Sequence, residues 1–245
     1  MNHLPNFRFE IIRSLINAVV EGKSTSQRNL SEQISGSLTS IHAALAALVD
    51  SRLVTKDDIG HYRLRPFDIC VDTLGRLQAH PPALRLRFSE SATQPIPAHQ
   101  LLQRAHALHE AANDVHWPHT YVSGVGAAHE SGHPFDLMGT PRLDLTIFVS
   151  SSPASFDTAF LQLLHPELTF DPSPLESAPV VATLVHSPEI PSHSGAATPA
   201  DIYLAMIDIG LKGQACEYLR GAASDYSIDL TAWHRGSLSS ELDYP

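Results

Sequence analysis

The sequence has little of what marks a secreted, disulfide-bonded or membrane-spanning protein. Its 245 residues include two cysteines, Cys70 and Cys216, too few for a disulfide framework. No apolar run approaches the roughly 18–20 residues that a transmembrane helix needs. The opening segment, MNHLPNFRFE, lacks the basic and apolar regions of a signal peptide. These absences predict a cytoplasmic protein with no membrane partner.

Positive charge is also scarce. The chain has 16 Lys and Arg against 26 Asp and Glu, a net charge of −10, which is unusual for a protein that binds nucleic acid. The deficit is uneven, because residues 1–66 carry eight basic and six acidic residues, whereas residues 67–245 carry eight and twenty. The split favours a DNA-reading module joined to an acidic domain with another task.

A helical pattern of apolar residues opens the chain. Its members are Phe7, Ile11, Ile12, Leu15, Ile16 and Val19. This spacing places one apolar stripe on a helix that ends at Gly22, a residue type common at helix C-termini. After a polar stretch, a short second helix is predicted over residues 27–34, with Leu30 and Ile34 facing inward.

A sharp turn at Gly36 separates the second helix from a third. Ser37 or Thr39 is expected to cap the third helix, which continues to about Arg52. The side chains predicted to be buried on it are Ile41, Ala44, Leu45 and Leu48.

A β-hairpin follows the third helix. Residues 53–56 are typical of one strand, residues 57–60 (Asp-Asp-Ile-Gly) of the turn, and residues 61–65 of the return strand. Three helices followed by a hairpin is the order of a winged helix-turn-helix. Residues 1–66 are therefore predicted to be a DNA-binding domain whose partner is double-stranded DNA.

The residues that would contact DNA follow from this geometry. In such a domain the third helix enters the major groove, and its N-terminal residues reach the base edges. The exposed candidates there are Ser37, Thr39, Ser40, His42 and Ala43. Contacts to phosphate are expected from Lys23, Ser26, Gln27, Arg28, Lys56, His61 and Arg63. Each hydroxyl could instead cap a helix or face solvent.

Two features oppose a DNA contact. The third helix has no Arg or Lys in its first turns, and the hairpin tip carries Asp57 and Asp58, which would repel phosphate. Some winged helices dock proteins instead. The absence of a positive face around Arg28, Lys56 and Arg63 would favour that alternative, a protein-interaction module that never meets DNA.

The rest of the chain alternates helices and strands. Residues 67–96 are interpreted as a connector with one short strand at 85–88, and residues 97–245 as an acidic α/β domain. Helices are predicted at 98–115, 199–209 and 212–220, with apolar helical turns over 156–164 and a short helix or loop at 127–132. Strands are predicted at 121–124, 142–149 and 179–186. This alternation indicates an α+β protein with a mixed sheet in its second part.

Several segments together resemble one family. They are the N-terminal module, residues 120–128 (TYVSGVGAA), 142–149 (RLDLTIFV) and 197–221. The last segment carries Pro199, Tyr203, Leu204, Asp208, Gly210, Gly213, Leu219 and Arg220 in the family's order. The chain is similar to the AbiEi-type transcriptional regulators, the antitoxins of type IV toxin–antitoxin systems. Ala205 and the acidic hairpin tip depart from the family.

This resemblance implies a DNA-binding regulator, a repressor or antitoxin-like protein that controls its own operon and has a cognate toxin as partner. A homodimer is expected, because two modules on adjacent half-sites gain affinity through effective concentration. The acidic domain would dimerise or bind the partner protein.

The middle of the acidic domain is also similar to a nucleotidyltransferase fold. Such enzymes place a Gly-Ser pair on a loop and two carboxylates on a strand that holds Mg²⁺. Here Ser123-Gly124 and Asp144 are present, but Thr146 occupies the second carboxylate position. We therefore expect a scaffold without nucleotidyl transfer. The alternative, an enzyme acting on nucleotides or nucleic acid, needs a second carboxylate, from Asp136 or Asp208.

A literal zinc-protease motif, H-E-x-x-H, occupies residues 129–133. Gly132 and the following Pro134 disfavour the helix that the motif needs. Six histidines in this region are spaced closely enough to bind a metal. They are His106, His109, His116, His119, His129 and His133. With no cysteine nearby, surface histidines are the simpler interpretation. No catalytic residue, metal ligand or cofactor is predicted, and the chain is not expected to be an enzyme.

Overall fold

The computed structural model describes residues 7–23, 25–34, 36–65, 84–90, 96–111, 120–133, 142–149, 157–171, 178–186 and 197–225. The described residues form seven α-helices and two β-sheets, one of them mixed, so the chain is an α+β protein. Two compact units divide the chain. One comprises residues 1–82 with 206–245, and the other comprises residues 83–205.

The first unit begins with three helices and three short strands. In chain order they are α1 (Phe7–Val20), β1 (Thr25–Ser26), α2 (Gln27–Ile34), α3 (Leu38–Asp50), β2 (Val54–Lys56) and β3 (His61–Leu64). The strands form an antiparallel sheet in the order β1-β3-β2. The predicted helices and hairpin are confirmed, and the bounds of α2 are those predicted. The strand β1 was not predicted, because two residues carry no periodic signal.

The core of this module comes from all three helices and the hairpin. Its fully buried side chains include Ile11, Leu15, Ile16, Leu30, Ile41, Leu45, Leu48, Leu53 and Leu64. The predicted stripe on α1 was partly wrong: Phe9 and Val20 are buried, whereas Phe7 and Val19 are half-buried. Phe7 lies over the turn at Gly36, which explains its partial burial. Ile34, predicted to face inward, is also only half-buried.

Both ends of α3 are closed by local hydrogen bonds. The Ser37 hydroxyl accepts the backbone N–H of Ser40 at 3.1 Å, so the predicted cap is confirmed. At the other end Arg52 adopts a left-handed conformation with φ +58°, and the Leu53 N–H reaches the Leu48 carbonyl at 3.0 Å. This bond pattern ends the helix at Asp50, two residues before the predicted end.

A helix late in the sequence completes the first unit. This helix spans Lys212–Asp225 and contacts α1. It extends past the predicted end at residue 220, because its buried face continues through Ala222 and Ala223. The sequence analysis predicted one domain over residues 97–245; among the described residues, 206–225 cluster with the N-terminal module.

The second unit is a five-stranded sheet with helices. In chain order its elements are β4 (Leu84–Glu90), α4 (Ala98–Glu110), β5 (Thr120–Ser123), α5 (Gly124–Glu130), β6 (Leu143–Val149), a 3₁₀ helix (Ala159–Leu163), β7 (Leu168–Asp171), β8 (Val180–His186) and the start of α6 (Pro199–Asp208). The helix at Lys212–Asp225, which belongs to the first unit, is numbered α7. The strand order is β5-β6-β8-β4-β7. The pair β6–β8 is parallel and the other pairs are antiparallel, so the predicted mixed sheet is confirmed.

Several boundaries in this unit differ from the sequence prediction. Residues 84–90, placed in the connector, form an interior strand between β8 and β7, and β7 itself was not predicted. The sequence predicted a short strand at 85–88 but not its place in the sheet, because its partners β8 and β7 lie far away in the chain. β7 spans only four residues, Leu168–Asp171. The predicted cap of α6 is confirmed: Thr198 and Asp201 exchange hydrogen bonds, with Thr198 Oγ1 donating to the carboxylate at 2.6 Å. Residues 112–115 and the tail beyond 225 lie outside the described residues.

The close approach at Gly36 generates a stability prediction. A Cβ added there would lie 2.8 Å from Phe7 Cε1 and 2.9 Å from Ile41 Cδ1, so Gly36→Ala must push both side chains apart. We expect a loss of about 1–3 kcal/mol in the free energy of unfolding, measured by urea titration followed by circular dichroism.

Gly213→Ala is the matched control, because a Cβ at this position in α7 meets nothing within 4 Å. It should leave stability unchanged or raise it by about 0.5–1 kcal/mol. A Gly36→Ala variant as stable as the parent would contradict the packing described for this turn.

Candidate nucleic-acid interface

The predicted base-reading residues lie together on the N-terminal half of α3. Ser37, Thr39, His42 and Ala43 are exposed, and Ser40 is half-buried. Leu38, which the sequence did not single out, is 54% exposed on the same part of the helix. The buried residues of α3 occupy the opposite face, so this surface is available to a large ligand.

Two of the serines form hydrogen bonds at the N-terminus of α3. The Ser37 Oγ accepts the Ser40 N–H and lies 2.8 Å from the Ser40 hydroxyl. Capping therefore explains Ser37 without any ligand. A hydroxyl that already accepts a backbone N–H can still donate its own hydrogen, so the pair keeps one donor for a base edge or a phosphate.

Gln27 connects α2 to α3 through its side chain. Its Nε2 donates to the Leu38 carbonyl at 3.0 Å, and its Oε1 lies 3.3 Å from Nδ1 of His42. The sequence assigned Gln27 to a phosphate contact, but both ends of its amide already have partners within the protein. Its position instead orients the His42 ring, a role that no local sequence pattern reveals.

The other predicted phosphate contacts near α2 are also engaged. Ser26 accepts the Asn29 N–H at 3.2 Å and so caps α2. Lys23 pairs with Glu21, and Arg28 pairs with Glu32 at 3.1 Å across one helical turn. Both ion pairs are exposed, with the Arg28 side chain 84% accessible. Because exposed pairs contribute only about 0–1 kcal/mol, a phosphate could replace either carboxylate.

The hairpin carries cations that no ion pair neutralises among the described residues. Arg63 is exposed on β3, on the face that its register shares with His61 and Thr55. Lys56 lies over the Tyr62 ring, 5.6 Å from its centroid, and leaves its ammonium at the surface. Arg52, which the sequence analysis did not propose, is exposed just before β2.

The acidic hairpin tip has a structural explanation. One carboxylate oxygen of Asp57 accepts the N–H groups of Ile59 at 3.2 Å and His61 at 2.8 Å, and Gly60 adopts φ +86°. Asp57 therefore shapes the turn. Asp58 is exposed, and Ile59 is the most exposed large apolar residue described, at 76%.

A second candidate site lies in the other unit, where β5 leads into α5. Gly124 has φ +63°, and a Cβ there would lie 2.9 Å from the Asp144 carboxylate, so the strand end and the loop are in close contact. Ser123 pairs with Asp144 across β5 and β6. This arrangement brings together the Ser, Gly and Asp that resemble a nucleotidyltransferase.

The Asp144 carboxylate is already paired. One of its oxygens accepts a hydrogen bond from Arg142 Nε at 3.0 Å and forms an ion pair with Arg142 Nη2 at 2.8 Å, and both side chains are almost fully buried. Thr146 lies two residues along the same face, and the adjacent strand places Val181 and Thr183 beside these positions. The neighbouring strand positions thus supply no second carboxylate. Asp136 lies outside the described residues, and Asp208 belongs to the other unit.

Burial also affects a tyrosine near this site. Tyr121 pairs with Thr146 and packs edge-on against Phe148, with ring centroids 5.4 Å apart. Burial raises the pKa of the Tyr121 hydroxyl above its ordinary value.

The zinc-protease motif does not have the geometry that its chemistry requires. The helix α5 ends at Glu130, Gly132 adopts φ +87°, and His133 lies beyond the helix. Glu130 pairs with His106 of α4. Within the described ranges, no three His, Cys, Asp or Glu residues are grouped so that they could hold a metal ion.

None of the helices in the described part of the chain combines the length and the apolar character needed to cross a bilayer. Comparison with protein-family models, with curated proteins and with solved structures finds no match for this chain.

Proposed function

We propose that the chain is a DNA-binding transcriptional regulator whose N-terminal module is a winged helix-turn-helix. The observation that carries this proposal is the order α1-β1-α2-α3-β2-β3 with the sheet order β1-β3-β2. In winged helices this arrangement presents the third helix to the major groove and the hairpin to the neighbouring backbone. The other unit supplies dimerisation or partner binding.

Charge supports this placement of the DNA. Arg52, Lys56 and Arg63 lie at the C-terminal end of α3 and on the hairpin, and Arg28 reaches solvent from α2. Cations on α2 and on the hairpin would contact phosphates when the uncharged N-terminal half of α3 enters a groove. Affinity would then come chiefly from the flanks, and sequence selection from α3.

The resemblance to AbiEi-type regulators extends the proposal. It favours a repressor or antitoxin-like protein that binds DNA upstream of its own gene as a homodimer, with a cognate toxin as protein partner and no cofactor. A dimer has a physical advantage, because one small module contacts few bases and two linked modules multiply their affinities.

A direct test is binding to DNA upstream of the chain's own gene. We expect tighter binding there than to a shuffled duplex of the same composition, with affinity for both falling as salt rises from about 50 to 200 mM. The measurement is fluorescence anisotropy at several salt concentrations. Equal affinity for both duplexes at every salt concentration would contradict the regulator proposal.

The flanking cations generate a second prediction. Removing Arg63, an exposed residue without an ion pair among the described residues, should weaken binding to all duplexes alike and reduce the slope of log K against log salt by about 1. Arg8→Ala removes the same charge from the exposed side of α1 and serves as the control. If the two variants lose the same affinity, the hairpin has no special contact with phosphate.

A protein-interaction module is the alternative for the same surface. The two ion pairs around α2 favour it because they reduce the positive charge of this surface. The exposed Leu38 and Ile59 favour it because they add apolar area. The cations on the hairpin favour DNA. The salt dependence in the binding experiment separates these two proposals.

A nucleotidyltransferase-like enzyme is the second alternative, favoured by the arrangement of Ser123, Gly124 and Asp144. The Arg142–Asp144 pair argues against it, because Arg142 occupies one oxygen of the carboxylate that would have to bind Mg²⁺. We interpret the pair as a structural element of the sheet.

The structural interpretation of this pair predicts a large effect on stability. Asp144→Ala leaves the buried Arg142 guanidinium without its carboxylate, so the free energy of unfolding should fall by about 3–5 kcal/mol. Asp58→Ala, at an exposed position, should change it by less than about 0.5 kcal/mol. Urea titration measures both. A stable Asp144→Ala variant that has lost magnesium-dependent nucleotide transfer would support the enzyme instead.

A further inference from the structure

The exposed N-terminal half of α3 has an unusual composition for a surface that reads DNA. Thr39, His42, Ala43 and Ala46 follow one another at helical spacing and are all exposed, with Leu38 beside them. α3 carries no charge before Asp50, its last residue. Four of these five side chains therefore present methyl groups, and His42 alone carries ring nitrogens.

This composition restricts the bases that α3 could recognise. In the major groove, guanine is read mainly by Arg or Lys, which donate to its O6 and N7, and cytosine by carboxylates that accept from its amino group. α3 offers neither near its N-terminus. Apolar side chains such as Ala, Leu and the Thr methyl make favourable contact with the 5-methyl group of thymine.

The hydrogen bonds of Gln27 determine what His42 can offer. Because Gln27 Nε2 donates to the Leu38 carbonyl, its Oε1 is the atom that faces His42. An amide oxygen only accepts, so the neutral His42 ring carries its hydrogen on Nδ1. Nε2, the outer nitrogen, is then an acceptor, and the groups that it can bind in the groove are the amino groups of adenine and cytosine.

An A·T pair presents a thymine methyl and an adenine amino group on the same major-groove edge. Resting on the DNA-binding function proposed above, we propose that α3 selects A·T pairs by packing Leu38, Thr39 and Ala43 against thymine methyl groups. The Nε2 of His42 accepts one adenine amino hydrogen, and Gln27 is the positioning residue that sets its tautomer. DNA is favoured over a protein as occupant because the same module exposes Arg52 after the C-terminal end of α3 and Lys56 and Arg63 on the hairpin, where phosphate would be bound.

The test begins with selection of bound sites from a random duplex library by the full-length chain. Each thymine in the selected site is then replaced by deoxyuridine, which removes only the 5-methyl group. We expect Kd to rise about fourfold for each contacted methyl, and to stay unchanged for thymines in the flanking DNA. Selective binding with no effect of uracil at any thymine overturns this inference and leaves the regulator function intact.

Protein variants locate the methyl contact. Leu38→Ala should abolish the thymine-to-uracil difference at one position of the site while leaving the others unchanged. Val49→Ala is the matched control, because Val49 is 37% exposed but lies near the C-terminal end of α3. An equal loss of methyl discrimination in both variants would contradict the assignment to the N-terminal half of the helix.

The role of His42 is tested by discrimination rather than by affinity alone. His42→Ala should reduce the preference for A·T over G·C at one position by about threefold to tenfold. Gln27→Ala should do the same to a smaller degree, because it removes the acceptor that holds the hydrogen on Nδ1 of His42. A uniform loss of affinity in these variants, with discrimination unchanged, would overturn the tautomer argument. Failure to enrich or bind any duplex would overturn both this inference and the proposed function.

Discussion

The contact on which the proposed DNA-binding surface depends is the close packing of the α2–α3 turn against α1. Gly36 lies so near Phe7 and Ile41 that a Cβ there would displace both side chains, and Ser37 caps α3 immediately afterwards. The turn thereby sets where α3 starts and which of its residues face outward. The Gln27 amide adds a second connection by holding the Leu38 carbonyl and the His42 ring. Side chains that read bases must be held in place by the elements that carry them, and these contacts fix the position of α3, the helix proposed to do so.

The two units differ in where their charged side chains lie. The N-terminal module combines a nearly neutral helix surface with cations on its hairpin, whereas the sheet unit buries its most conspicuous charges as one pair, Arg142 and Asp144. A carboxylate that would bind metal in an enzyme is here matched by a guanidinium from the start of its own strand. The Asp144 carboxylate therefore has its counter-ion, the Arg142 guanidinium, inside the protein. This buried pair is the basis of the proposal that the unit is a scaffold and not an enzyme.

The sequence predicted the features that local periodicity and capping determine. The bounds of α2, the cap at Ser37 and the strand β6 follow from the spacing of apolar and capping residues within a few turns. It did not predict β4 within the sheet, since the strand's partners lie about 80 to 100 residues away in the chain. Gln27 was assigned to phosphate because its type and position suit that role. Its actual hydrogen bonds depend on the angle between two helices, which one-dimensional patterns do not encode.

The central claim is that α3 and the hairpin form the DNA-contacting surface. Hydrogen–deuterium exchange of the full-length chain, with and without a duplex selected by the protein, tests this most directly. The account predicts slower exchange in residues 37–46 and 54–65 on addition of the duplex, with residues 120–149 unchanged. Slower exchange confined to residues 83–205 would contradict it and would move the ligand site to the sheet unit.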